Sequence, residues 1–459
     1  MRKNRAWRAF VGAPLVVAAT ACSPDRPAAP RVPDAPPGSA TVSAGADQRA
    51  VAGQRLPDPI TITVLSVTGR PLSGIRVDWT PLDSGKVDPD HSTTDDAGVA
   101  RTSWTLGPAA GDHTVLASVS GYGPITIHAN ADPAPLVINA IRLLSLMTPD
   151  STGQTVHPDY VNITEGPLSG QFLAITPYPY NDPSRENPSF YTSRDLVYWR
   201  APDSATNPVV LPRNGYLSDP DIVYNPATSE LWLYYREVWD ENKIYLMKSA
   251  DAVTWSDPQL VAHAPNDQIV SPSVVRRSDT EWLMWSVNAP NGCPSSTTSV
   301  ELRRSSDGVT WSDPERVTLA QGAYTPWHID VQWIPAFNEY WAVYNIKSAG
   351  NCSTPAVFLA TSPDGINWKT YASPVMARGT ISDFEDIVYR TTFRYRPETD
   401  VVTFWYSGAR YDGSRFVWRS AVQRRGRADL FSSIALQPFS AFLWSAPPGR
   451  TVPLLMDPP

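Results

Sequence analysis

Between residues 60 and 128, apolar and polar side chains alternate in short runs. The runs are Ile60-Thr-Ile-Thr-Val64, Ile75-Arg-Val-Asp-Trp79, Val99-Ala-Arg-Thr-Ser-Trp104, His113-Thr-Val-Leu-Ala117 and Ile125-Thr-Ile-His128. A period of two turns one set of side chains to a core and the other to water, so each run predicts a half-buried strand. Turn residues at Gly69-Arg-Pro71, Asp95-Asp-Ala-Gly98 and Ala110-Gly-Asp112 separate them. No helical period intervenes, and the spacing predicts a β-sandwich over about residues 40–133.

Farther along, the strands become aromatic: Leu231-Trp-Leu-Tyr-Tyr235, Trp282-Leu-Met-Trp285, Tyr340-Trp-Ala-Val-Tyr344 and Val402-Thr-Phe-Trp-Tyr406, with Phe172-Leu-Ala-Ile175 as an earlier counterpart. Each follows a second recurring signal: His157-Pro-Asp159, Asp219-Pro-Asp221, Ser271-Pro-Ser273, His328-Ile-Asp330 and Phe384-Glu-Asp386, whose last residues are 62, 52, 57 and 56 apart. A third signal has four copies: Ser193-Arg-Asp195-Leu-Val-Tyr-Trp199, Ser249-Ala-Asp251-Ala-Val-Thr-Trp255, Ser305-Ser-Asp307-Gly-Val-Thr-Trp311 and Ser362-Pro-Asp364-Gly-Ile-Asn-Trp368. Their serines are 56, 56 and 57 apart. A period near 50 built from β-prone segments predicts a propeller. Five units over residues 136–459 predict five blades, with a strand after Arg427 closing the ring against blade one. The expected fold class is therefore all-β, a sandwich followed by a five-bladed β-propeller.

The 459-residue length suits several domains, and a net charge of −7 argues against a nucleic-acid partner. The N-terminus carries Arg2, Lys3, Arg5 and Arg8, then an apolar stretch too short to span a membrane, then Ala19-Thr-Ala-Cys22. This ending resembles a bacterial lipoprotein lipobox. The resemblance implies a signal peptide over 1–21, lipidation of Cys22 and attachment to a membrane of the bacterial cell envelope. Residues 22–39 are rich in Pro and Ala and suit an extended tether. The remaining cysteines, Cys293 and Cys352, lie at matching places in neighbouring repeats, which in an exported protein favours a disulfide.

Over 40–133, Val51-Ala-Gly-Gln54, Gly69-Arg-Pro-Leu-Ser-Gly74, Thr94-Asp-Asp-Ala-Gly98 and Trp104-Thr-Leu-Gly107 resemble bacterial Ig-like domains of the invasin (Big-1) type, which usually act as spacers. The Ser-x-Asp-x-Gly-x-x-Trp signal resembles the Asp-box of sialidases, although Leu196 and Ala252 replace Gly in two copies. Its Asp is expected to cap a tight turn and its Trp to pack between sheets, a structural role.

Inner strands of a propeller run alongside one axis, so Asp159, Asp221, Ser273, Asp330 and Asp386 are expected in one ring, with Asp219 and Glu385 close by. Clustered acids raise one another's pKa, and a protonated acid beside an ionised one suits glycoside hydrolysis. Five blades with these acids resemble the propeller glycosidases that include arabinanases, xylosidases and invertases. The resemblance implies Asp159 as base or nucleophile and Asp221, or Asp219, as the group that tunes its pKa. The family's blade-three Glu is missing, since Ser273 stands there. Glu186, Glu237, Asp330 and Glu385 are the replacement candidates, and Glu186 joins Asp159 and Asp221 as the expected catalytic set. His157, Asp219, His328, Asp330, Glu385, Asp386, Trp327 and Arg236 are expected to contact the sugar. No cofactor is expected, and no His/Cys cluster has zinc spacing; Ca²⁺ is the ion such acids would suit. These features together predict a monomeric lipoprotein glycoside hydrolase with a carbohydrate substrate. The alternative is a non-catalytic carbohydrate-binding or adhesion protein at the cell surface.

Overall fold

The computed structural model describes residues 36–435, apart from 294, 320–323, 348–351 and 353. The expected signal peptide, Cys22 and most of the tether lie outside the described residues, as does everything after 435.

The alternating runs form two facing sheets. One orders Pro37–Ala44, Ile60–Ser66, Val99–Thr105 and Lys86–Asp88. The other orders Gln48–Val51, Gly123–Asp132, Gly111–Val119, Arg76–Pro81 and His91–Thr93. Their inward residues, among them Ile60, Ile62, Val64, Trp79, Trp104, Val115 and Ala117, make one buried core. The first strand begins at Pro37, slightly inside the segment expected to be tether.

One of the six remaining sheets is the parallel pair Ser145–Leu146 and Tyr198–Trp199, and the other five are blades. Their inner strands are Thr155–Ile163, Tyr216–Asn225, Val270–Ser278, Thr325–Ile334 and Ile387–Arg396. Each inner strand packs against the next, and the fifth packs against the first, so the ring is closed. The aromatic runs are the second strands, antiparallel to the inner ones. Closure differs from expectation. Residues Arg427–Ala435 are a helix, and the outer strand of blade five is Ile141–Leu143, contributed from before blade one. The chain between sandwich and propeller thus fastens the last blade, which spares it an unpaired edge.

Every Ser of the repeated motif is the last residue of a third strand. The Asp side chain accepts the backbone N–H groups two and three residues ahead, at 2.7–2.9 Å. The fourth motif position is left-handed in all copies: Leu196 at φ 67°, Ala252 at 63°, Gly308 at 72° and Gly365 at 74°. In the last two copies glycine is also a matter of space. A Cβ on Gly365 would fall 2.6 Å from Trp285 Cζ2 in the preceding blade, and the Trp285 indole donates to the Gly365 carbonyl at 2.9 Å. Gly365→Ala is therefore expected to lose about 2–4 kcal/mol, from left-handed strain plus overpacking. Denaturant unfolding checks it, and a loss below about 1 kcal/mol would contradict this account of the turn. Trp199 and Trp368 are buried between sheets, while Trp255 and Trp311 are half-buried.

Cys293 and Cys352 are joined by a disulfide with Cα atoms 5.2 Å apart, linking the loops after the second strands of blades three and four.

Candidate active site

Each inner strand contains a bulge against its partner, between Val156 and Asp159, Ser218 and Asp221, Val270 and Ser273, Pro326 and Ile329, and Val388 and Thr391. A bulge re-aims side chains and interrupts the ladder. In the first three blades the bulged residue is left-handed: His157 at φ 54°, Asp219 at 51° and Ser271 at 53°. Strained backbone of this kind, costing of order 1 kcal/mol or more at each residue, concentrates at functional sites.

Residues two apart on a strand share a face, and two stacked tiers result. The upper tier, toward the strand starts, is His157, Asp219, Ser271, His328 and Arg390. The lower tier is Asp159, Asp221, Ser273, Asp330 and Thr392. All are buried. Within the tiers, blades cap one another. Asp159 accepts the Ile222 N–H at 2.5 Å, Asp221 the Val274 N–H at 3.0 Å and Ser273 Oγ the Val331 N–H at 2.8 Å. Asp219 accepts from Ser271 N–H at 3.2 Å, and Ser271 Oγ from Ile329 N–H at 3.3 Å. These bonds satisfy backbone donors on the axial edges of the inner strands, where no ladder partner is available. Thr392 Oγ1 closes the lower ring, 3.0 Å from Asp159 and 3.1 Å from Asp330.

The fifth ring position corrects the sequence alignment. Asp386 lies ahead of the fifth inner strand, where its carboxylate accepts the Tyr411 N–H at 2.6 Å. Glu385 caps the short helical turn Ser382–Phe384. The true fifth copy is Arg390-Thr-Thr392, which carries no carboxylate and so escaped a search for acids.

In the lower tier, burial is the dominant force. Burial, with Asp159 and Asp330 nearby, drives the Asp221 carboxyl well above the usual carboxylate range. Burial and the Asp159 charge push Asp330 up to about 7, and burial raises Asp159 against the pull of Arg390. An unfolded Asp titrates near about 4. Folding therefore takes up a proton between about pH 4 and pH 7, and Asp330 subtracts stability as pH rises through that window. Asp330→Asn removes the subtraction. Its Tm relative to wild type, in chelator-treated protein, is expected to climb from pH 4 to pH 7 and then level off. A difference that stays constant with pH would contradict this placement of the proton.

The upper tier gathers around Asp219. Its Oδ1 lies 2.8 Å from His157 Nδ1 and 3.3 Å from His328 Nδ1, and its Oδ2 lies 2.9 Å from Arg236 Nε. His157 Nε2 lies 2.9 Å from Glu186, whose other contact is the Ser218 hydroxyl. Burial alone would raise the Asp219 carboxyl, but Arg236, His157 and His328 outweigh it and hold the group well below the usual range. Burial lowers His328 to about 3, which keeps its imidazole neutral; His157 is raised, because Asp219 and Glu186 overcome its burial. His157 Nδ1, Asp219 Oδ1 and both ring nitrogens of His328 are buried without an aligned hydrogen-bond partner. One donor atom from each of these three residues lies within 4.8 Å of the others. Two imidazoles and a carboxylate, converging and unsatisfied, are the donor set of a divalent transition-metal site. All three residues are expected from the sequence as sugar contacts; nothing in the sequence marks them as one ligand set, because they come from three different blades.

A cavity of about 20 Å³ opens over this tier, walled by His157, Glu186, Ser218, Arg236, Trp327 and Tyr389. Trp327 donates from its indole to the Tyr389 hydroxyl at 3.2 Å. Tyr178 is buried and packs edge-on against Trp418, and Tyr180 is exposed under Arg415. At the opposite mouth, a wider cavity of about 500 Å³ reaches Asp159 and Asp221 and is walled by Gln332, Trp333 and Arg394.

No known protein-family profile matches the chain. It is similar to the A type blood N-acetyl-alpha-D-galactosamine deacetylase of Flavonifractor plautii, 28% identical over 324 residues that cover 59% of this chain and 40% of that protein. The chain thus matches about two fifths of that relative's length. Among solved structures, an N-acetylgalactosamine deacetylase from F. plautii in complex with blood group B trisaccharide aligns with a TM-score of 0.57 at 22% identity, covering 66% of this chain and 97% of that one. An alpha-L-arabinanase of Penicillium chrysogenum complexed with arabinobiose aligns with a TM-score of 0.43 at 14% identity, covering 63% and 98%. The propeller fold is shared with the first of these structures.

Proposed function

We propose that this protein is a metal-assisted hydrolase that removes the acetyl group from an N-acetylated sugar. The observation that carries the reading is the convergence of unsatisfied His157, Asp219 and His328 donors on one buried point. A divalent ion held there would polarise the amide carbonyl and acidify a water. The chain's own groups do the rest. Glu186 borders the cavity and is placed to take the proton of the attacking water and return it to the leaving nitrogen. Arg236 and His157 keep Asp219 ionised and oriented. Trp327 and Tyr389 wall the cavity. A space of about 20 Å³ is little more than one water needs, so the sugar ring stays outside it. The relative's activity on an N-acetylated galactosamine supports this choice of substrate class.

Glycosidic cleavage is the second reading. Its support is the pair Asp159 and Asp221, both with raised pKa, bordering the wide cavity at the opposite mouth. Under either reading, residues 1–35 are taken as a lipoprotein leader and tether, and the sandwich as an Ig-like spacer that holds the propeller away from the cell envelope.

The deciding experiment incubates the protein with glycans ending in N-acetylgalactosamine or N-acetylglucosamine. Free acetate and new reducing ends are measured, with and without chelator. Acetate release that needs a divalent ion is the expected result. Reducing ends without acetate, lost in Asp159→Asn, would move the assignment to a glycosidase. Binding with neither product would leave a lectin-like surface protein.

A further inference from the structure

The two tiers offer two sets of donors, and only one of them has the character of a metal site. In the lower tier, oxygens of Asp159, Asp221 and Asp330 also lie within 4.8 Å of one another. Three carboxylates so close are hard oxygen donors of the kind divalent ions take. What sets this tier apart is Arg390. Its side chain is fully buried and reaches between the tiers, with Nη1 3.7 Å from Asp219, Nη2 3.9 Å from Asp221 and Nη2 donating to the Pro272 carbonyl at 3.2 Å. Its Nε and Nη1 make no hydrogen bond, so charge rather than hydrogen bonding accounts for its position. A buried cation is tolerated only beside compensating anions; ionised Asp219 is one, and Arg390 in turn pulls the buried Asp159 carboxyl down toward its charged form.

We propose that Arg390 is the resident cation of the lower tier and keeps the propeller channel mononuclear, confining the metal to His157, Asp219 and His328. The inference rests on the metal reading of the upper tier. Arginine suits the task because its guanidinium stays charged at every working pH. A lysine or histidine there would shed its proton when an ion approached. The guanidinium also contacts Asp219, so it acts as a positioning residue for the metal ligand while it blocks the second site.

The test is Mn²⁺ stoichiometry on metal-stripped full-length protein, read by equilibrium dialysis and by the Mn²⁺ electron paramagnetic resonance signal. Wild type is expected to bind one ion. Arg390→Gln, which keeps a donor for the Pro272 carbonyl, is expected to bind two, with the spin-coupled signal of neighbouring ions. Adding Asp221→Asn to Arg390→Gln should return the count to one. Two ions in the wild type overturn the proposal whether or not any variant folds. One ion in a folded Arg390→Gln overturns it while leaving the upper site standing. No ion in the wild type removes the metal reading itself, and this inference with it.

Discussion

Replacing His328 by leucine is expected to lower activity about 1000-fold, equivalent to ~4 kcal/mol of transition-state stabilisation, while leaving the metal-free fold as stable as before. The two halves have different causes. Among the described residues neither ring nitrogen of His328 has an aligned hydrogen-bond partner, Nδ1 lying 3.3 Å from Asp219 Oδ1, a desolvation penalty of about 1–3 kcal/mol that leucine would not carry. The imidazole does pack edge-on against His157, Tyr389 and Trp327, with centroids 4.9, 4.5 and 5.6 Å away. Losing those contacts costs about 0.5–1.5 kcal/mol, which roughly offsets the gain. A residue kept at no benefit to the apo fold has its reason in what it binds. The checks are Tm in chelator, bound metal per chain, and acetate release. A variant that stays active with its metal bound would remove His328 from the site.

Asp219→Ala is expected to behave in the opposite way and to fail on both counts. Its carboxylate is the shared counter-charge of Arg236, His157 and Arg390, lies 3.3 Å from the neutral His328 imidazole, and also accepts the Ser271 N–H of the next blade. Taking it away leaves guanidinium groups buried and uncompensated. Breaking a buried pair in this way costs about 3–5 kcal/mol, a Tm drop on the order of 10 °C for a domain of this size. Adding Arg236→Met should restore part of the loss, because it removes one of the stranded charges. Restoration confined to stability, with activity still absent, is the pattern expected of a metal ligand that is also a structural keystone. An unchanged Tm in Asp219→Ala would show that the upper tier is not held by this charge network.

Much of the architecture was legible beforehand because it repeats. The aromatic runs from Phe172 to Tyr406 all became second strands, and the serines of the four motif copies all became strand ends. A repeat places equivalent residues at equivalent points of a ring, so Asp159, Asp221, Ser273 and Asp330 could be brought together on paper. The fifth position was not legible, because the chain has Arg390 and Thr392 there and no carboxylate to mark it. Nor was closure, because a fastening strand arriving from residues 141–143 has no repeat to announce it.

The sequence by itself determined the blade count, the order of the repeated strands and four of the five positions of the lower ring, since these follow from local period and spacing. Only the tertiary structure decided which of those residues work together. His157, Asp219 and His328 each sit on a strand whose own sequence says nothing of its neighbours' distance. Ring closure and the bulges of three inner strands, left-handed at His157 and Asp219, bring their donor atoms to one point. Burial there removes the water that would otherwise satisfy them, and that is what turns three polar residues into a ligand set.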